Sequence, residues 1–320
     1  MMEQGGNKVS VIIPSYNGKE HLKRLLPSIA NQTFNDYEVI IIDDSSPDES
    51  VLEYVRTFIK DYRNMRLIEN GENLGFVKTC NKGIRLANGE YICLLNQDTE
   101  VKSNFVERNV EILDADGSIG ALSCVIVDQD GDNWFTGGSF KGGLPVNLTD
   151  DFQGIRPVDF VAGTAPFYRK DVFNRIGLFD ENYHMYHEDI EFGLRLRAET
   201  DYKVCVFPEK LVVHNKPSVD CSEEMRIIIK EVYYLGCRNH ILTLKKYYPR
   251  YLPKVLLWYT LDISRILVRA LLEPSPNLSL FVKPRPWKLF LFVKMKLRCF
   301  RWALNMAEGI LAGLVNRQSK

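Results

Sequence analysis

Three apolar runs in the first hundred residues stop abruptly at polar clusters, with helical patterns filling the gaps between them. Val9–Ile13 stops at Pro14-Ser15-Tyr16-Asn17, Glu38–Ile42 at Asp43-Asp44, and Tyr91–Leu95 at Asn96-Gln97-Asp98; Arg66–Ile68 is a weaker fourth run. Leu22, Leu25, Leu26 and Ile29 share one face of a helix, as do Val51, Val55, Phe58 and Ile59, and a third helix spans about Gly75 to Leu86. Runs without apolar–polar alternation are buried on both faces. Strands of that kind separated by amphipathic helices build a mainly parallel sheet with helices on either side, so the fold class is α/β, a Rossmann-like sandwich.

The pattern continues less regularly. A helix is expected over Ser103–Ala115, a strand over Ile119–Val127, and loop or hairpin excursions over 128–157. Helices over Asp171–Ile176 and Glu188–Glu199 follow, then a strand over Tyr202–Phe207 ending at Pro208. After about Asp220 long helical patterns take over. The expected division is a catalytic domain over 1–220 and a basic, amphipathic helical extension over 221–320.

Charge separates the same two parts. The chain carries 41 Lys and Arg against 41 Asp and Glu, yet residues 221–320 hold 18 basic against 6 acidic side chains. The acidic front would repel phosphates, which excludes nucleic acid as a partner of the whole chain. Seven scattered cysteines without a C-x-x-C pair argue against a disulfide framework or a Cys-based zinc site, and favour a reducing compartment. Cys93, inside an apolar run, reads as an inert core thiol. The start, MMEQGGNKVS, has no secretory pattern.

In open α/β sheets, ligands bind beyond the carboxyl ends of the strands. The three polar clusters should therefore converge on one site, although about 80 residues separate them in sequence. Tyr16 can stack on a nucleobase, Asp43 can hydrogen-bond a base or ribose, and Asp98 can hold a hard cation that bridges a diphosphate. Taken singly, each cluster could merely mark a strand end.

Six segments together resemble a known family: VSVIIPSYNG (9–18), EVIIIDDSS (38–46), NLGF (73–76), GEYICLLNQDTEV (89–101), GTAPFYRKDVFNRIGLFDENYHMYHEDIEFGLRLR (163–197) and VVH (212–214). Their order and spacing from Val9 to about Ser218 are similar to family 2 glycosyltransferases of the GT-A fold, in the rhamnosyltransferase-like branch. The resemblance implies that Pro14, Tyr16 and Asn17 face the nucleotide, that Asp43 reads its base or ribose, and that Gly75 allows a close approach to it. It implies that Asn96-Gln97-Asp98 stands for the family's D-x-D motif against the donor sugar and diphosphate. Asp98 would be a metal ligand, with His214 supplying a further metal contact. Asn96 departs from that pattern, since an amide binds cations more weakly than the acid often found there. The implied cofactor is a divalent cation, Mg2+ or Mn2+.

Glu188-Asp189 matches the family's acidic pair, of which one acid deprotonates the acceptor hydroxyl in inverting members; Asp189 is the expected base, Glu188 the alternative. Without the resemblance, acids at a helix start would only complement the helix dipole. His184 and His187 flank Met185-Tyr186, where they either contact acceptor or pack. Arg195 and Arg197 either pair with a diphosphate or lie exposed on their helix.

The expected function is metal-assisted, inverting transfer of a sugar from a UDP- or dTDP-linked donor, rhamnose among the candidates. The acceptor is expected to be a hydroxyl of a saccharide or lipid-linked saccharide in cell-surface polysaccharide synthesis. A catalytically weak membrane-associated scaffold of the same fold and a sugar nucleotidylyltransferase are the alternatives. An NAD enzyme is disfavoured, because no G-x-G-x-x-G follows a strand. In the tail, Trp258, Trp287 and Trp302 are interleaved with Lys and Arg, and Phe292, Met295, Cys299, Trp302 and Met306 line one helix face. Such a tail suits peripheral contact with the anionic inner face of the plasma membrane, or packing against another subunit, a second copy included.

Overall fold

The computed structural model describes residues 7–215, 223–272 and 307–315. The described residues divide into two compact units, one drawn from Met1–Lys141 and Pro145–Ser218, the other from Gly142–Leu144 and Val219–Lys320.

The first unit opens with alternating strands and helices: β1 (Val9–Ser15), α1 (Lys19–Ala30), β2 (Tyr37–Asp43), α2 (Glu49–Phe58), β3 (Met65–Glu69), α3 (Phe76–Leu86) and β4 (Tyr91–Leu94). Next come β5 (Thr99–Val101), α4 (Phe105–Ala115), β6 (Ile119–Val127), β7 (Asn133–Phe135), β8 (Gly137–Lys141), β9 (Leu144–Leu148) and β10 (Arg156–Pro157). Then β11 (Phe167–Arg169), α5 (Lys170–Ile176), α6 (Glu188–Glu199) and β12 (Lys203–His214) complete it. The main sheet runs β10-β12-β6-β11-β4-β1-β2-β3, with β5 against β12 and β7 against β6.

The apolar runs explain this order. Every residue of β1, β2, β4 and β6 is buried, as strands sandwiched between helices must be. Strands β4, β1, β2 and β3 are parallel neighbours, with Ile12 opposite Leu94 and Ser15 opposite Asp43. Their carboxyl ends therefore open on one edge. Helix α1 turns Leu22, Leu25, Leu26 and Ile29 into the core, and Asp48 caps α2 by accepting from the Ser50 amide at 2.9 Å.

Two expectations change, and one strand is unforeseen. Pro14 does not end its strand: the ladder to β4 stops at Ile12, so β4 asks no N–H of the proline, while the ladder to β2 carries β1 on to Ser15. Pro208 does not end its strand either. β12 runs on to His214, and register shifts around Phe207 and Lys210 accommodate the proline. The short β11 lies antiparallel between β4 and β6, a pairing that its three residues do not announce.

The second unit contains α7 (Glu223–Tyr247) and α8 (Leu252–Leu272), and residues 307–315 are helical. Within this unit His240 is buried, with Nε2 donating to the Gly143 carbonyl at 2.6 Å and Nδ1 accepting from the Tyr259 hydroxyl at 2.8 Å. The expected amphipathic face over Trp287–Met306, including Trp287 and Trp302, lies outside the described residues. No described helix is long and apolar enough to cross a membrane.

Candidate active site

The carboxyl ends of β1, β2 and β4 hold the first group of expected residues. Pro14 is buried within β1, whereas Tyr16 is 46% exposed and Asn17 lies on the surface with φ of 52°. Gln97 reaches back to this turn. Its Oε1 accepts from the Tyr16 amide (3.1 Å) and the Ser15 hydroxyl (3.0 Å), and its Nε2 donates to the Tyr16 carbonyl (3.1 Å). The Gln97 amide is thus engaged in holding the Tyr16 turn rather than presented to a ligand. Gly18 leaves it room, because a Cβ there would stand 2.0 Å from Oε1.

Asp43 is 2% exposed, and both its oxygens accept from Ser46, one from the hydroxyl and one from the amide. The carboxylate shapes the turn after β2 and keeps lone pairs for a further donor. Its neighbour Asp44 accepts from the amides of Leu74 and Gly75, each at 2.9 Å, and from Asn70. Asp44 thereby ties the start of α3 to the end of β2, a role that its place beside Asp43 does not announce. Gly75 adopts φ 83° and ψ 163°, a region open essentially to glycine, and a Cβ there would meet the His184 ring at 2.8 Å.

Asp98 is positioned by the sheet rather than by the D-x-D-like stretch alone. Thr99 in β5 is the antiparallel partner of His214 in β12, so Asp98 Oδ2 and His214 Nε2 meet at 3.1 Å. The Asp98 carbonyl accepts from the Asn215 amide at 2.8 Å. Trp134 packs edge-to-face on His214, with ring centroids 4.4 Å apart. Burial lowers the pKa of His21 on α1, opposed by the Asp98 carboxylate. Asn96 Oδ1 is buried without a hydrogen-bond partner among the described residues.

The acidic pair arrives from a third direction. The chain over 163–166 runs beside the end of β4, with the Asn96 amide bonded to the Thr164 carbonyl (2.9 Å) and the Leu94 amide to the Pro166 carbonyl (3.0 Å). Asp189, in the first turn of α6, accepts from the Gly163 amide at 2.9 Å and from the Ile190 amide at 2.8 Å. That bond seats Asp189 next to the backbone that flanks Asn96. Glu188 is 8% exposed and, with Asp189, borders a small cavity lined by Phe76, Val77, Leu94 and Phe179. Burial, reinforced by the Asp189 charge, pushes Glu188 up to about 8. Burial also raises Asp189, but its two amide donors act in the opposite sense. Burial thus favours a shared proton on the pair, while the two amide donors favour the charged form of Asp189.

The turn that leads into the pair is unusual. His184, Tyr186 and His187 all have positive φ (60°, 66° and 67°), and the His184 carbonyl accepts from the Val77 amide at 3.3 Å. Arg195 and Arg197 belong to the fold rather than to a diphosphate. Arg195 donates to the Ile176 and Leu178 carbonyls and to buried Glu191, and Arg197 pairs with Asp159. Cys93 is fully buried, and burial holds its thiol well above the usual range.

Among the described residues no three His, Cys, Asp or Glu side chains gather as a metal cage. Asp98, after β4, and His214, at the end of β12, are nevertheless donor types that suit a hard cation, and the Asn96 oxygen two residues before Asp98 is unpartnered among the described residues. Such ions commonly take one or two protein ligands and complete their shell with water and substrate phosphates.

An uncharacterized glycosyltransferase of Haemophilus influenzae is 27% identical over 247 residues, 71% of this chain and 74% of that protein. The N-acetylglucosaminyl-diphospho-decaprenol L-rhamnosyltransferase of Mycobacterium tuberculosis is 25% identical over 236 residues, 64% of this chain and 75% of that protein. Among solved structures, GalNAc-T7 with UDP, GalNAc and Mn2+ superposes with a TM-score of 0.62 at 18% identity, over 94% of this chain and 56% of that one. At that identity the likeness concerns the fold, which is of the GT-A type with added C-terminal helices. Residues 10–177, more than half of the chain, match the profile of Glycosyl transferase family 2, and the chain belongs to that family.

Proposed function

We propose that this glycosyltransferase moves a sugar, with inversion, from a nucleoside-diphosphate donor to a hydroxyl of a saccharide or lipid-linked saccharide. The observation that carries the proposal is the backbone bridge from Asn96 through Thr164 and Gly163 to Asp189, which ties the acidic pair to the segment after β4 that carries Asp98, the partner of His214. The relative named as a rhamnosyltransferase acting on a diphospho-decaprenol acceptor, and the GT-A neighbour solved with UDP and Mn2+, support the substrate classes.

In this mechanism Tyr16 stacks on the nucleobase, while Asp43 and the turn it shapes contact the base or ribose. Asp98 and His214, with Asn96 two residues before Asp98, would hold Mg2+ or Mn2+. The cation, when bound, offsets the charge that develops on the departing diphosphate. Asp189 takes the proton from the acceptor hydroxyl as its oxygen bonds to the anomeric carbon and the bond from that carbon to the diphosphate oxygen breaks. Attack from the face opposite the diphosphate inverts the anomeric centre. The Gly163 and Ile190 amides aim the Asp189 carboxylate, and burial of Glu188 disfavours a second negative charge beside it.

Attachment to an anionic lipid surface belongs to the same proposal. Leu257, Trp258 and Leu261 lie exposed on α8, in the part of the chain that carries the excess of Lys and Arg. Cosedimentation with phosphatidylglycerol vesicles tests this attachment; binding to the protein's own second copy instead would appear as a dimer in sedimentation velocity.

A thermal-shift screen of nucleoside diphosphates with and without Mn2+ tests the donor class. Stabilisation by one nucleotide, strengthened by Mn2+, is expected. Inactivity on every nucleotide sugar with retained lipid binding would instead make the chain a scaffold.

A further inference from the structure

His214 turns Nε2 toward Asp98, while its other ring nitrogen, Nδ1, is buried with no hydrogen-bond partner among the described residues. A histidine that holds a cation is ordinarily oriented through that second nitrogen, which donates to a carboxylate or carbonyl. No described protein group plays that part for His214. Against its ring lies Trp134 instead, edge-to-face, with an interplanar angle of 66°.

Trp134 is itself held firmly. It sits in the three-residue β7, where the next residue, Phe135, is fully buried and pairs with Ile126 of β6. Val127 of β6 faces Asn133 of β7 on one side and Val213 of β12 on the other. Three adjacent strands thus set the indole against the imidazole.

We propose that Trp134 is the positioning residue for His214: its indole, in place of a hydrogen bond at Nδ1, sets the imidazole plane that keeps Nε2 directed at Asp98. The inference builds on the reading of Asp98 and His214 as cation ligands. An aromatic neighbour suits the task because edge-to-face geometry is directional, whereas aliphatic packing is not.

The test is Mn2+ binding to the full chain, followed by the electron paramagnetic resonance of free Mn2+, for wild type, Trp134→Phe, Trp134→Leu and His214→Ala. Trp134→Phe keeps an aromatic edge and should bind within about threefold of wild type. Trp134→Leu fills the space without a ring and should bind about ten- to a hundredfold more weakly, the range for losing an orienting partner, at an unchanged melting temperature. Should the leucine chain not fold, Trp134→Met takes its place in the comparison. Wild-type affinity in the leucine or methionine chain overturns the role of Trp134. Failure of wild type to bind Mn2+, or wild-type affinity in His214→Ala, would instead remove the cation reading on which the inference is built.

Discussion

Asp98 and His214 lie 116 residues apart in the chain and meet at 3.1 Å because Thr99 and His214 are partners in an antiparallel ladder. Their juxtaposition is a property of the sheet, so it exists before any ligand arrives. Asp98→Ala removes the carboxylate and leaves the β5–β12 ladder intact. Binding of UDP in the presence of Mn2+ should weaken by about ten- to a hundredfold, the 1.5–3 kcal/mol range for a contact to a charged group. Isothermal titration with and without Mn2+ measures it, and UDP affinity in the absence of Mn2+ should not change.

Asp189→Asn keeps an oxygen for the Gly163 amide and loses the basic carboxylate. Turnover should fall by roughly 10²–10⁴-fold, the usual weight of a general base. UDP affinity should stay at the wild-type level, since Asp189 is assigned to the acceptor. Single-turnover transfer assays alongside UDP titration would separate the two; wild-type turnover in the asparagine chain would move the base elsewhere.

Glu188 ties the acidic pair to the pH dependence of stability. Burial, then the charge of Asp189, raises it to about 8, so between about pH 4.5 and 8 the folded chain keeps a proton that the unfolded chain has released. Its stabilising contribution is complete below about pH 4.5 and is lost as pH rises through 8. Glu188→Gln carries no proton to lose there, and any cost of burying its amide is the same at each pH. The melting temperature of wild type should therefore fall relative to Glu188→Gln between pH 5 and pH 8, by about 2–4 °C for each kcal/mol lost. Parallel melting curves across that range would place the proton elsewhere.

Gly75→Ala tests the entry to α3. At φ 83° and ψ 163° an alanine is strained by about 1–3 kcal/mol, and its Cβ would press on the His184 ring at 2.8 Å. The expected result is a lower denaturation midpoint with unchanged slope in urea, together with weaker nucleotide binding as the Asp44-held turn shifts.

Much of the sheet could be read in advance because the evidence for it is local. Continuous apolar runs over Val9–Ile13, Glu38–Ile42 and Tyr91–Leu95 require burial on both faces, and this alone aligns their polar ends on one edge. The buried span of β6 and the extent of α6 follow from composition in the same way. Pro14 and Pro208 misled, because whether a proline ends a strand depends on whether a neighbour waits for its N–H. Residues 128–157 are rich in turn formers, and nothing local marks Trp134 as the partner of a histidine eighty residues further on.

From its amino acids alone the chain had already determined its class, its family likeness and the residue types able to hold a nucleotide, a cation and a proton, since periodicity and ordered segments are written along one dimension. Which oxygen serves a turn and which faces a substrate was decided in three. Gln97 closes on Tyr16 and Asp189 on Gly163, because hydrogen-bond partners far apart in sequence are chosen by strand pairing and by the burial of polar groups that must be satisfied.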